Sequence, residues 1–167
     1  MKALLTAMLE LCLLRIGPQN LPGAPVLVLL STGLNLLVGL LLLGQLGETP
    51  VQALQECLFD LSLTFGVLLL ALKARGLLDR FPQTASAIML SNLLLNCLAL
   101  PLAGWSHQAG ALEAGLLLRI VVVWNILVLG HILRHTFTLP LSQGVAASLL
   151  FTIFSWTLSY LMFPVGP

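Results

Sequence analysis

Charge is what this sequence has least of. Only 8% of its 167 residues are Asp, Glu, Lys or Arg, against about a quarter in an ordinary soluble domain. The 7 Lys and Arg nearly balance the 6 Asp and Glu, so there is no basic face for phosphates and no nucleic-acid partner is expected. Tyr160 is the only tyrosine. Cysteine is sparse and scattered, at Cys12, Cys57 and Cys97, which argues against a disulfide framework or a zinc site. There is no G-x-S-x-G, no P-loop and no H-E-x-x-H. With 3 histidines and few acids, little is available for acid–base chemistry. The expectation is a non-enzyme without a cofactor.

What is present is apolar surface. Hydrophobic residues make up 59% of the chain, and they fall in five runs at about 26–46, 53–72, 84–104, 115–134 and 138–163. Each approaches the ~20 residues a helix needs to cross a bilayer core. None alternates as a barrel strand would. The predicted fold is therefore all-α, an integral membrane bundle of five transmembrane helices over 26–163. Residues 1–16 read as an amphipathic helix lying in the interface, because Lys2, Thr6 and Glu10 share a face among Leu, Met and Ala. A Gly/Pro linker over 17–25 turns the chain into the first span.

Loop charges alternate. Lys2, Arg15, Lys73, Arg75, Arg80 and Arg134 fall on one side, whereas the loops carrying Glu48 and Glu113 have no Lys or Arg, and Arg119 is the exception. The positive-inside rule then predicts a multi-pass inner-membrane protein with a cytoplasmic N-terminus and the C-terminus outside.

Helices in lipid associate through small and weakly polar residues, because lipid supplies no hydrophobic drive between them. Such stripes occur at Ser31, Asn35 and Gly39 in the first span, and at Ala53, Glu56, Asp60, Thr64 and Ala71 in the second. They recur at Ala85, Asn92, Asn96, Ala99 and Ala103 in the third, and at Gly144, Ser148, Thr152, Ser155 and Ser159 in the fifth. In the fourth span Trp124, His131 and His135 share a face. These stripes predict a compact bundle.

Three sets of residues are candidates for chemistry. Asp60 lies inside the second span with Glu56 one turn away, where a carboxylate needs a partner or a function. Arg119 enters from the same side, so a buried Asp60–Arg119 pair with Glu56 at its rim is expected. The alternatives are that both acids face headgroups, or that Asp60 relays a proton or cation. Asn35, Asn92, Asn96 and Asn125 form a polar layer near mid-span, read as interhelical glue or as the lining of a cavity. His131, Arg134 and His135 form a cluster at the cytoplasmic end, read as interfacial or as a ligand pair for haem or a metal.

The stretches Leu14-Arg15-Ile16-Gly17-Pro18-Gln19-Asn20-Leu21-Pro22 and Arg80-Phe81-Pro82-Gln83-Thr84 are similar to those of small bacterial membrane proteins of this size. The whole architecture resembles the Yip-type five-span membrane proteins. The resemblance implies a small inner-membrane protein and carries over no site residues. Packing stripes without a catalytic constellation predict a scaffold, assembly factor or complex subunit, with lipid and another membrane protein or a second copy as partners. The alternative is a small transporter or ion-coupled permease using Asp60, Arg119 and the asparagines. The third reading is a haem or metal protein using His131 and His135.

Overall fold

The computed structural model describes residues 2–163, without the side chains of residues 2, 3, 108 and 109. The expected place of Lys2 on the polar face, and the chain beyond 163, lie outside the described residues. The described chain is helical: α1 (Lys2–Cys12), α2 (Pro25–Gln45), α3 (Pro50–Ala74), α4 (Phe81–Ala109), α5 (Leu112–Phe137) and α6 (Leu141–Met162), with short 3-10 turns at Pro18–Asn20 and Leu78–Arg80. Helices α2 to α6 are the five long and apolar enough to cross a membrane.

Local sequence explains the boundaries. Pro25, Pro50 and Pro82 stand in the first turns of α2, α3 and α4, and Pro140 caps α6; proline has no N–H to lose there and its φ already suits a helix. Thr49 and Gln52 close a capping box at the start of α3. Gly110 ends α4 with φ 60°, a left-handed conformation that costs glycine little.

Short loops make neighbouring spans antiparallel, so the bundle has two distinct ends. One holds α1, the turn at 75–80 and the turn at 138–140. It carries Arg15, Lys73, Arg75, Arg80 and Arg134 and is called the basic end. The other holds the turns at 46–49 and 110–111, with Glu48 and Glu113, and is called the acidic end.

Helix α4 is the axis of the fold, packed against both α2 and α5; α6 packs on α5, and α3 closes the ring against α2, α4 and α6. Half of the apolar window of α4 is buried, against 6% for α2 and 11% for α6, which present most of their surface outward as lipid-facing helices do. The α5–α6 crossing is the tightest contact. A Cβ on Gly130 would stand 2.7 Å from the Val145 Cα, and one on Gly144 would strike the Gly130 carbonyl. Ser148 adds an interhelical bond, its Oγ donating to Ile126 O at 2.8 Å. The small-residue stripe of α6 does here what close backbone approach requires.

At the basic end the bundle is filled. Met8, Leu11, Leu21, Leu68, Leu72, Ala85, Ile88, Met89, Val128 and Ile132 form one buried cluster, edged by Phe65, Phe81 and Phe137. The Arg80 Nη1 donates to Thr136 O at 2.7 Å, and Thr84 Oγ1 and Thr136 Oγ1 are 3.2 Å apart, tying the loop before α4 to the end of α5.

Helix α1 corrects the expectation of a helix that only lies in the interface. Thr6 is exposed, but Met8 and Leu11 turn inward and join the buried cluster, and Cys12 is buried beside them. The carbonyls that follow a helix end need donors, and α5 supplies them. Trp124 Nε1 donates to Cys12 O at 3.0 Å, and His131 Nε2 meets Ile16 O at 2.9 Å. Those two residues are seven apart on α5, about 10 Å along its axis at ~1.5 Å per residue. The segment after α1 therefore runs along α5 as part of the core, and Gly17, Pro18 and Leu21 of the linker are buried with it.

Candidate functional site

The acidic half of the bundle is built differently. A partly open cavity of about 500 Å³ lies among all five spans. Its inner limit is at Thr32, Thr64, Met89 and Leu129, and its outer residues include Leu46, Glu56, Ala103 and Ser159. Met89 belongs both to this wall and to the filled cluster, so it marks the boundary between the two halves.

Each helix contributes polar groups to this space at helical spacing. From α2 come Thr32 and Asn35, and from α3 Glu56, Asp60 and Thr64. Helix α4 gives Asn92 and Asn96, α5 gives Asn125, and α6 gives Thr152, Ser155 and Ser159. All four residues of the expected asparagine layer thus meet at one cavity. They also bond in pairs across helices. Asn96 Nδ2 donates to Asn35 Oδ1 at 3.1 Å, joining α4 to α2. Asn125 Nδ2 donates to Asn92 Oδ1 at 3.0 Å, joining α5 to α4. Each pair links two helices and also lines the cavity, and Asn35 Nδ2 donates further to Met89 Sδ at 3.9 Å. Thr32 Oγ1 is a buried hydroxyl of this wall with no hydrogen-bond partner.

Asp60 lies in the midst of the bundle and is nonetheless accessible, because it lines the cavity. Its Oδ1 accepts from Ser155 Oγ at 3.0 Å, a contact that also links α3 to α6. The expected Asp60–Arg119 pair is not formed. Arg119 is exposed and absent from the cavity wall, to which α5 presents Leu118, Val121, Val122 and Asn125 instead. The reason is angular: at 100° per residue, position 119 lies about 120° around the helix from 125. Glu56 lines the same cavity one turn toward the acidic end, and no salt bridge joins it to Arg119 among the described residues.

The histidine cluster has a structural use. His131 is 4% exposed and bonded to Ile16 O, so it secures the N-terminal segment where an exposed interfacial residue was expected. Its ring meets that of His135 edge to face, with centroids 4.6 Å apart. His135 lines a smaller pocket of about 340 Å³ at the basic end with Gln19, Arg80 and Thr138. Among the described residues no group of three or more His, Cys, Asp or Glu is placed to hold a metal ion.

The cysteines also divide between the halves. Cys12 is buried in the filled half, and burial pushes its thiol up to about 11, leaving little reactive thiolate at neutral pH. Cys57 lines the cavity one turn from Asp60. Contributors that went unrecognised in the sequence include Thr32, Cys57 and Trp156, and Ser155 as the partner of Asp60. Their helical register with Asn35, Asp60 and Ser159 was the available signal.

No family model, curated protein or solved structure matches this chain.

Proposed function

We propose that the chain is a non-enzymatic, solute-binding membrane protein of the carrier type, with the hollow half of the bundle as its binding site. The observation that supports this most is the cavity itself. Spans that needed only to adhere would close on one another as they do at the basic end, where small and branched side chains fill the space. The acidic half instead keeps about 500 Å³ free and lines it with a carboxylate and amides from separate helices. Its volume falls within the ~300–1,000 Å³ typical of small-molecule sites. A membrane-embedded acid without a salt-bridge partner is a functional group by default.

Helix–helix contacts account for the fold, and a scaffold role would leave the cavity without a purpose. The positive-inside rule supports a cytoplasmic basic end, which sets the cavity in the outer half of the bundle with the filled half and α1 beneath it.

Cys57 tests this directly. In lipid nanodiscs, a small water-soluble methanethiosulfonate should modify Cys57 faster than the buried Cys12, a comparison of two desolvated thiols that isolates access. Ala99→Phe, which adds a ring to the cavity wall, should slow that reaction about tenfold or more by excluding water and reagent from the space. An inert Cys57 in the unmodified chain would count against a water-accessible site.

A further inference from the structure

The cavity is one-sided in charge. Its wall carries two carboxylates, Glu56 and Asp60, one helical turn apart on α3, and no Lys, Arg or His. The partner of Asp60 is Ser155, a neutral donor that orients the carboxylate without compensating it. The expected guanidinium of Arg119 faces away. A carboxylate at this depth that the protein does not pair is satisfied either by a proton or by an opposite charge brought by a ligand, and the cavity gives a ligand room to bring one.

Three observations narrow what that charge is. No group of three or more potential ligands is placed for a metal ion among the described residues, which disfavours a tightly coordinated divalent cation. The space is far larger than a bare ion, so the ligand has a body as well as a charge. Trp156, next to Ser155 in the chain, borders the same cavity with a side chain that is 59% exposed, and an indole is the side chain that attracts organic cations best. The remaining wall is apolar surface and neutral amides, suited to the body of the ligand.

We propose that the cavity binds a small organic ammonium ion, with Asp60 as its counter-charge and Trp156 as the aromatic wall against which its apolar part rests. This rests on the reading of the hollow half as a solute site.

The test follows Cys57 by peptide mass mapping in nanodiscs, where both faces of the bilayer meet the reagent. Trimethylammonium-ethyl methanethiosulfonate is compared with its anionic sulfonate-ethyl counterpart, each rate normalised to that of a free thiol in solution. The cationic reagent should react about tenfold faster after normalisation, the scale of one uncompensated charge close by. Tetramethylammonium chloride should slow the reaction, and sodium chloride at equal ionic strength should not. Asp60→Asn should remove most of the preference; if that variant does not fold, protection of the unmodified chain by tetramethylammonium decides alone. Equal normalised rates, or no protection, would overturn the ammonium assignment while leaving a hollow site in place. No modification by either reagent would overturn the hollow reading itself, so the two failures are distinct.

Discussion

The two halves of this bundle are made from the same five helices and nearly the same residue types, and they end differently. At the basic end Leu, Ile, Met and Phe from α1, α3, α4 and α5 meet in one buried cluster, and a segment from outside the spans is drawn in to complete it. At the acidic end the same helices stand apart around Asp60 and two pairs of asparagines. The difference shows what polar residues do in a membrane bundle. A single bonded pair holds two helices together, but several polar groups on separate helices that face one another sustain a space.

The largest effect should come from the α5–α6 crossing, which both halves depend on. Gly144→Val should abolish the folded monodisperse species on size-exclusion chromatography, since even a Cβ there strikes the Gly130 carbonyl, and rigid overpacking costs about 1–3 kcal/mol or more. Gly33→Ala, with nothing within 4 Å of the added Cβ, should leave thermal stability unchanged or raise it by up to about 1 kcal/mol.

A matched pair of enlargements should sharpen the contrast next. Ala87→Leu, at 0% exposure in the filled half, should lower stability by about 1–3 kcal/mol. Ala99→Leu, on the cavity wall, should cost much less, because its extra methylenes have space to occupy. Thermal unfolding in one detergent compares them.

Removing the ties to the N-terminal segment should have a smaller effect that stays local. Trp124→Phe and His131→Phe each delete one hydrogen bond to a carbonyl, that of Cys12 at the end of α1 or of Ile16 beyond it, worth about 1 kcal/mol. Hydrogen exchange at residues 12–21 should rise while exchange in α6 stays level. Smallest of all is Arg119→Gln. Because Arg119 is exposed, lies off the wall of this cavity and forms no salt bridge with Asp60 among the described residues, its loss should stay within about 0.5 kcal/mol; a loss of several kcal/mol would restore the buried pair.

Much of this was legible in the sequence. The spans stand out because bilayer thickness fixes their length, and their predicted limits fall within a few residues of the helices. Asn35, Asn92, Asn96 and Asn125, grouped by depth in the sequence, bond in two cross-helix pairs, since amides near mid-span have few places to go except one another. Arg119 was misassigned on depth alone, when its rotation about α5 decides which face it serves. His131 was taken for an interfacial residue because its partner is a backbone carbonyl of a distant segment, which side-chain patterns do not reveal. The cavity could not be read from any single helix. It depends on how far five helices stand apart, and the stripes that line it are the same ones that would close a packed bundle.

One helix crosses both halves and can report on them together. The inward residues of α3 include Cys57, Leu61 and Thr64 on the cavity wall and Leu68 and Leu72 in the filled cluster. Single cysteines at these five positions, in a chain otherwise free of cysteine, should be treated in nanodiscs with a membrane-impermeant thiol reagent. The account predicts modification at 57, 61 and 64 and a sharp fall to none at 68 and 72. Equal reactivity along the helix, or protection throughout, would contradict a bundle that is solid at one end and hollow at the other.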